Sequence, residues 1–508
     1  MKNGQMILTL TLALCASGVA FAQDDQAPSP PPPAAAFGLE NPAAPVTENP
    51  PLSGIDQPGL NSHAAPESFL MYGLHFSESV DSNVGNQLGG SSISSVTRGL
   101  GSVTLQRLWH TYDVAMDYIG GVAYYDQTGI GVEQLQQFDI DNRINWKRGQ
   151  LAIRDSFSYL PEGIFGFGAY GGGGAYSAGV GSGGMLGGSG FGAGGNSFFS
   201  GNGLSVGQVP RLTNQGLVDV VEALTPKSSV TVAAGYGVVH FYGDLFSIGG
   251  TNENVSFVGS SDLTGQVAYN RVLNPKDQVA ISYGYQGFTF STVDSKFHTN
   301  VVQLMYGHRI SGRLDALVSA GPQFTHLTSN PLVCSLDPFI PVKLCPPVFI
   351  APFPQTANHT TVAGRILFHY RFPKTTVFVS LQRYNTSGDG LYAGSLSETA
   401  HLGIQRPLSR VWDLFSDIGY AKNHRLQLAG SAVNAGSFQF GYAGIGLHRQ
   451  FGRSLRGFVS YQFNGDGFDT SCPVPGTGGI GQPGCSSFAQ RHVGTVGLDW
   501  TPRPRRLD

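Results

Sequence analysis

From Tyr112 to Tyr125 the chain alternates with a period of two. Tyr112, Val114, Met116, Tyr118, Gly120, Val122 and Tyr124 fall on one face; Asp113, Ala115, Asp117, Ile119, Gly121, Ala123 and Tyr125 fall on the other. Successive side chains of a strand point to opposite sides, so the segment reads as a two-faced strand whose apolar side is bracketed by tyrosines. About twelve residues at ~3.3 Å each, tilted by about 40°, rise roughly 30 Å, the span of a membrane's apolar band.

The pattern recurs, punctuated by turn chemistry. Eight tight connections stand out: His110-Thr111, Lys147-Arg148-Gly149, Thr225-Pro226-Lys227-Ser228, Asn274-Pro275-Lys276-Asp277, Ile310-Ser311-Gly312, Phe372-Pro373-Lys374-Thr375, Arg406-Pro407-Leu408-Ser409 and Gln450-Phe451-Gly452. Proline presets φ at a turn's second position, and Gly, Asn and Ser supply the remaining turn geometries. Each is flanked by alternating segments, which predicts a hairpin. Longer connections separate them: Ser79–Val96, Pro161–Val209, Gly243–Ser260, Thr328–Asn358 and Asn464–Ser487. With a first strand at Phe69–Glu78 and a last at Arg491–Trp500, the count is about eighteen. Sixteen is the alternative, because Leu151–Tyr159 and Leu212–Leu224 have mixed faces. An even count puts both ends of the strand series on the short-turn side.

The apolar face continues through Leu263, Val267 and Tyr269, then Val279, Ile281, Tyr283 and Tyr285, then Val302, Leu304 and Tyr306. It resumes in Val362, Ile366, Phe368 and Tyr370, in Trp412, Leu414, Ile418 and Tyr420, and in Leu455, Val459, Tyr461 and Phe463. Charged residues make up only 12% of the chain, aromatics reach 11%, and there are 71 glycines. A soluble domain of this length carries about twice that charge. Beyond Pro66 no apolar run reaches the ~18 residues of a membrane helix. Alternation between a lipid face and a wet face explains both facts, because a closed barrel satisfies its backbone hydrogen bonds without an edge. The fold-level rival, a soluble propeller, should carry blade repeats, and only hairpin alternation is found.

Residues 1–22 read as a secretory signal: Lys2, an apolar Met6–Val19, and Ala20-Phe21-Ala22 for cleavage. Leu14 precedes Cys15 where a lipobox needs a small residue. Residues 23–66, with the run Pro30-Pro31-Pro32-Pro33, favour extended solvated chain and read as a disordered periplasmic spacer. The barrel is expected over 67–500 and a periplasmic tail over 501–508. Net charge is −3, too little to suggest a nucleic-acid partner. Export makes disulfides the expected state of Cys334, Cys345, Cys472 and Cys485. Three connectivities are open, and local pairing within each close couple is the natural choice. Neither couple has the tight spacing of a structural zinc site, and no cofactor is expected.

The last strand ends His492, Gly494, Val496, Leu498, Trp500. Here the chain resembles the Gram-negative outer-membrane β-barrel proteins, whose closing strand commonly ends in an aromatic residue recognised during insertion. The likeness is one of architecture and covers roughly residues 67 to 500; Thr501–Asp508 follow the aromatic, a departure from the pattern. The resemblance implies an all-β transmembrane antiparallel barrel in the bacterial outer membrane, with short periplasmic turns and long extracellular loops. Its implied partners are outer-membrane lipids, the barrel-assembly machinery and small hydrophilic solutes, and a homotrimer is one assembly such barrels allow.

The candidate chemistry follows from the inward face. Asp113, Asp117, Asp139, Asp141 and Asp262, with Arg143, Arg365, His369, Asp413, Asp417, Arg456 and Arg491, are the expected pore lining. Most of these acids precede most of the arginines in the chain, which would set a transverse field across a pore. Gly203-Leu204-Ser205-Val206-Gly207 matches a nucleophile elbow but lacks the following helix, and Gly166-Phe167-Gly168-Ala169-Tyr170-Gly171 lacks the βαβ setting of a dinucleotide loop. The glycine-rich Pro161–Val209 reads either as an extracellular loop or as a constriction folded into the lumen. Barrels of about this strand number leave an aqueous channel. The expected function is therefore passive diffusion of small hydrophilic solutes, and the chain is not expected to be an enzyme. A non-conducting surface barrel acting through its loops is the alternative, and a barrel-embedded hydrolase the third reading.

Overall fold

The computed structural model describes residues 68–84, 93–126, 131–160, 210–242, 244–245, 255–256, 258–274, 276–290, 295–311, 313–330, 332–334, 350–352, 354–372, 374–386, 393–426, 437–468, 488–503 and 505–507. The signal, the Pro-rich segment, Pro161–Val209 with both motifs it contains, Cys345, Cys472 and Cys485 lie outside them.

Strands run in chain order as β1 (Phe69–Asp81), β2 (Ser94–Leu108), β3 (Tyr112–Tyr125), β4 (Gly131–Trp146), β5 (Gly149–Leu160), β6 (Arg211–Thr225) and β7 (Ser228–Phe241). A short pair, β8 (Asp244–Leu245) and β9 (Val255–Ser256), precedes β10 (Ser260–Asn274), β11 (Asp277–Phe290), β12 (Ser295–Ser311) and β13 (Leu314–Ser329). A second short pair, β14 (Leu332–Cys334) and β15 (Ile350–Pro352), is followed by β16 (Gln355–Phe372), β17 (Thr375–Thr386), β18 (Ser395–Pro407) and β19 (Trp412–Arg425). The series ends with β20 (Ser437–Phe451), β21 (Leu455–Phe468), β22 (Phe488–Trp500) and β23 (Arg505–Arg506).

Every long strand pairs antiparallel with its neighbours in sequence, β7 passing directly to β10 and β13 to β16. The ring closes where β1 pairs with both β2 and β22. The count of about eighteen is close without being exact. The main sheet has 19 strands, and β8–β9 and β14–β15 form two separate ribbons. The additional strand comes from the tail. Arg505 and Arg506 fold back onto Leu70 and Phe69, and the Leu507 N–H donates to the Ser68 carbonyl at 2.9 Å. The mixed-face segments are full strands, β5 and β6.

Turns fall where the chemistry puts them or shift by a few residues. The fifth, seventh and eighth hairpins turn later than the motifs suggest, because strand pairing runs on through Ser311, Pro407 and Phe451. Gly452 follows β20 with φ of +78°, a left-handed conformation that explains a glycine at this point. The β10–β11 turn is pinned by its side chains: Asn274 Oδ1 accepts the N–H groups of Lys276 and Asp277 at 2.8 and 3.0 Å. Outside the spanning part of its strand, Asp277 is hydrogen-bonded by Tyr306, Asn274 and His308, which hold its carboxyl down at about 2.

The two faces separate cleanly. Tyr118, Val122, Tyr124, Leu263, Ile281, Tyr283, Leu304, Val362, Ile418, Val459 and Tyr461 all point outward and are exposed. Among the same strands' alternate residues, Ile119, Ala123, Asp262, Ser282, Gln286, Gln303 and Gln462 are buried on the concave side. No helix among the described residues is long and apolar enough to cross a membrane.

Candidate functional site

Among the described residues the polar and charged side chains concentrate on the concave wall, most densely at the seam that closes the ring. Next to β22, β1 presents His75, Ser77, Ser79 and Asp81 inward. Near the far end of the seam, Arg491 donates from Nε to Asp81 Oδ2 at 2.8 Å, with its Nη2 2.5 Å from the same oxygen. One strand over, Arg98 Nη1 donates to Ser79 Oγ at 2.7 Å, and Ser79 Oγ lies 3.1 Å from Thr495 Oγ1. Ion pairs this deeply buried are costly to desolvate and hold only where geometry and further hydrogen bonds compensate.

Nearer the short-turn end a polar belt crosses successive strands. Asp413 on β19 is the register partner of His448 on β20. Arg456 on β21 faces Asp499 on β22, Nε to Oδ2 at 3.6 Å. Asp499 Oδ1 lies 3.0 Å from His75 Nδ1, whose Nε2 lies 2.9 Å from Ser102 Oγ on β2. The β5–β6 region adds Arg154 Nη2 to Asp219 Oδ1 at 2.9 Å.

Of the residues singled out from the sequence, Asp113 accepts from Asn145 Nδ2 at 2.9 Å and shares register with Arg143. Asp117 and Asp139 are direct partners across β3–β4, and Asp141 is opposite Arg154 across β4–β5. Asp262 is buried on β10, Arg365 lies opposite Ser319 and Gln382, and His369 is the partner of Asp315. Asp417 stands between Gly403 and Gly444. Arg491 belongs to the seam, and Asp413 and Arg456 to the polar belt beside it. Cys334 is the last residue of β14.

Two features differ from the sequence reading. Acids and arginines are interleaved over short distances, as at Asp81–Arg491, Asp499–Arg456 and Asp219–Arg154, so their fields cancel locally instead of adding across the ring. One sector of the inner wall is also apolar. Ala280, Met305, Leu317 and Leu367 form one buried patch, Val301, Ala363 and Tyr384 a second, and Phe288, Phe290, Phe297, Leu327, Ala357 and Leu426 a third. Here β11, β12, β13, β16 and β17 are apolar on parts of both faces, and alternation read for one face alone overlooks this. Sequence reasoning also missed His75, Ser102 and Asp499. Each is an ordinary polar position in its own strand, and only pairing registers reveal their proximity.

No family model matches the chain, and no curated protein matches it. Among solved structures it is similar to the open form of the ferric-catecholate import receptor Fiu of E. coli, at 8% identity and a TM-score of 0.45, over 86% of this chain and 82% of that one. OpdL of Pseudomonas aeruginosa gives 7% identity and a TM-score of 0.37, over 86% and 99% of the two chains. OccK2 of the same organism, in complex with glucuronate, gives 10% and 0.39, over 85% and 97%. Likenesses this distant assign no activity. The closed antiparallel ring with its apolar exterior is a β-barrel of the bacterial outer membrane.

Proposed function

We propose that the barrel is an outer-membrane channel for passive diffusion of small hydrophilic solutes, its short-turn rim facing the periplasm. The observation that carries this reading is the chemistry of the inner wall. Both amide atoms of Gln106, Gln286 and Gln323 have no protein hydrogen-bond partner, although each residue points inward. An orphaned group of this kind costs about 1–3 kcal/mol, and ordered water held against the inner wall would satisfy it. Interleaved charges suit such a wall, since they keep it hydrated without strongly favouring one sign of solute.

A second reading, a non-conducting barrel that acts through its surface loops, is favoured by the depth of burial of these same residues. Reconstitution of the purified folded protein into planar bilayers separates the two. Stepwise conductance, carrying cations and anions with comparable ease, is expected. Bilayers that stay silent after verified insertion would overturn the channel and leave the surface role.

A further inference from the structure

On the inner wall at the seam, three side chains from three strands stand in series. Ser102 Oγ is 2.9 Å from His75 Nε2, and His75 Nδ1 is 3.0 Å from Asp499 Oδ1. One tautomer serves both contacts: Nδ1–H donates to the carboxylate, and the Nε2 lone pair accepts the serine hydroxyl. The opposite tautomer would aim a lone pair at a carboxylate oxygen. Nucleophile, base and orienting carboxylate in this sequence of contacts are the working parts of acyl transfer, recognised by geometry and not by chain order.

We propose that Ser102 is a nucleophile for carboxylic esters, with His75 as its general base and Asp499 as the residue that positions the imidazole. This reading goes beyond conduction and does not depend on it. Four further observations support it. His75 and Asp499 are each only 2% exposed whereas Ser102 is 8% exposed, so the hydroxyl is the most open of the three. Gly73 is the register partner of Ser102, and a Cβ there would lie 2.7 Å from Ser102 Oγ and 3.2 Å from His75 Nε2. Glycine at that point leaves the flank of the nucleophile clear. The inward neighbours Leu100 and Met71 are apolar, which suits an ester with an apolar acyl group. Arg456, 3.6 Å from the other oxygen of Asp499, supplies a counter-charge on the side away from the imidazole.

The chemistry balances without any redox partner. Ser102 Oγ attacks the ester carbonyl carbon as its proton passes to His75 Nε2. The bond to the leaving alcohol then breaks, and Nε2 returns the proton to the departing oxygen. Water repeats the sequence on the acyl-serine: its proton goes to Nε2, its oxygen bonds to the acyl carbon, and collapse releases the carboxylic acid while Nε2 reprotonates Ser102.

The test uses the folded full-length barrel in detergent, a fluorophosphonate probe and p-nitrophenyl butyrate. Covalent labelling mapped to Ser102 by peptide mass spectrometry is expected, with a rate that rises with pH. Ser102→Ala should abolish labelling and ester hydrolysis, His75→Ala should slow labelling by at least 100-fold, and Asp499→Asn should slow it and displace the pH profile. Ser77→Ala, on the same face of β1, should change neither. Heat-shifted gel mobility checks that each variant is folded, and the pH profile of the unaltered protein needs no variant. Folded protein that remains unlabelled, labels elsewhere, or labels Ser102 with no dependence on pH would overturn the proposal.

Discussion

Leu304 and its neighbour Gln303 show what one position along a strand decides. Leu304 is 64% exposed on the outer face and Gln303 is 1% exposed on the inner one. Between them the solvent changes from hydrocarbon to the barrel interior, so the same substitution has different consequences. Leu304→Arg should destabilise the inserted barrel by about 2–4 kcal/mol, the cost of a cation on the lipid face near mid-membrane. Urea-driven unfolding from lipid vesicles measures it; a change under about 0.5 kcal/mol would mean that Leu304 does not meet acyl chains. This partition was legible from residue types alone, because lipid admits few polar side chains. Ser102 was not legible in that way. A serine on an inward position is unremarkable until a histidine 27 residues away and an aspartate at the other end of the chain are known to meet it.

Strand ends carry their own information. The chain has 4 tryptophans, Trp109, Trp146, Trp412 and Trp500, and all stand at or next to strand ends on the short-turn rim. Arginines stack beside two of them, Arg107 at 5.1 Å from the Trp109 ring and Arg449 at 5.3 Å from that of Trp412. Amphipathic rings beside cations fit the headgroup boundary, where one edge is wet and the other greasy. In vesicles of brominated phospholipids, tryptophan fluorescence should therefore be quenched most by bromines close to the headgroups. Strongest quenching by bromines at the chain ends would contradict this placement. Hairpin positions were readable because Pro, Gly and Asn announce turns. Their exact limits at Ser311, Pro407 and Phe451 were not, since ladder pairing with the neighbouring strand extends each element past its local signal.

At the level of the molecule, closure is the decisive event, and it is concentrated in the β1–β22 seam. Asp81 and Arg491 meet only there, with side chains 1% and 2% exposed. Asp81→Asn would leave the buried guanidinium without its carboxylate and should cost about 3–5 kcal/mol, read as a lowered urea midpoint. An effect below about 1 kcal/mol would show that the pair contributes little to closing the ring. A period of two, repeated between turn signals, was sufficient to determine a two-faced antiparallel barrel and which residues face lipid, because strand geometry and the lipid solvent leave few other solutions. What lines the inside in combination was beyond it. The interleaving of acids with arginines, the apolar sector around Leu317 and Leu367, and the Ser102–His75–Asp499 contact all depend on register and on which strand meets which. Those relations join residues hundreds of positions apart, and they come into being when the first long strand pairs with the last.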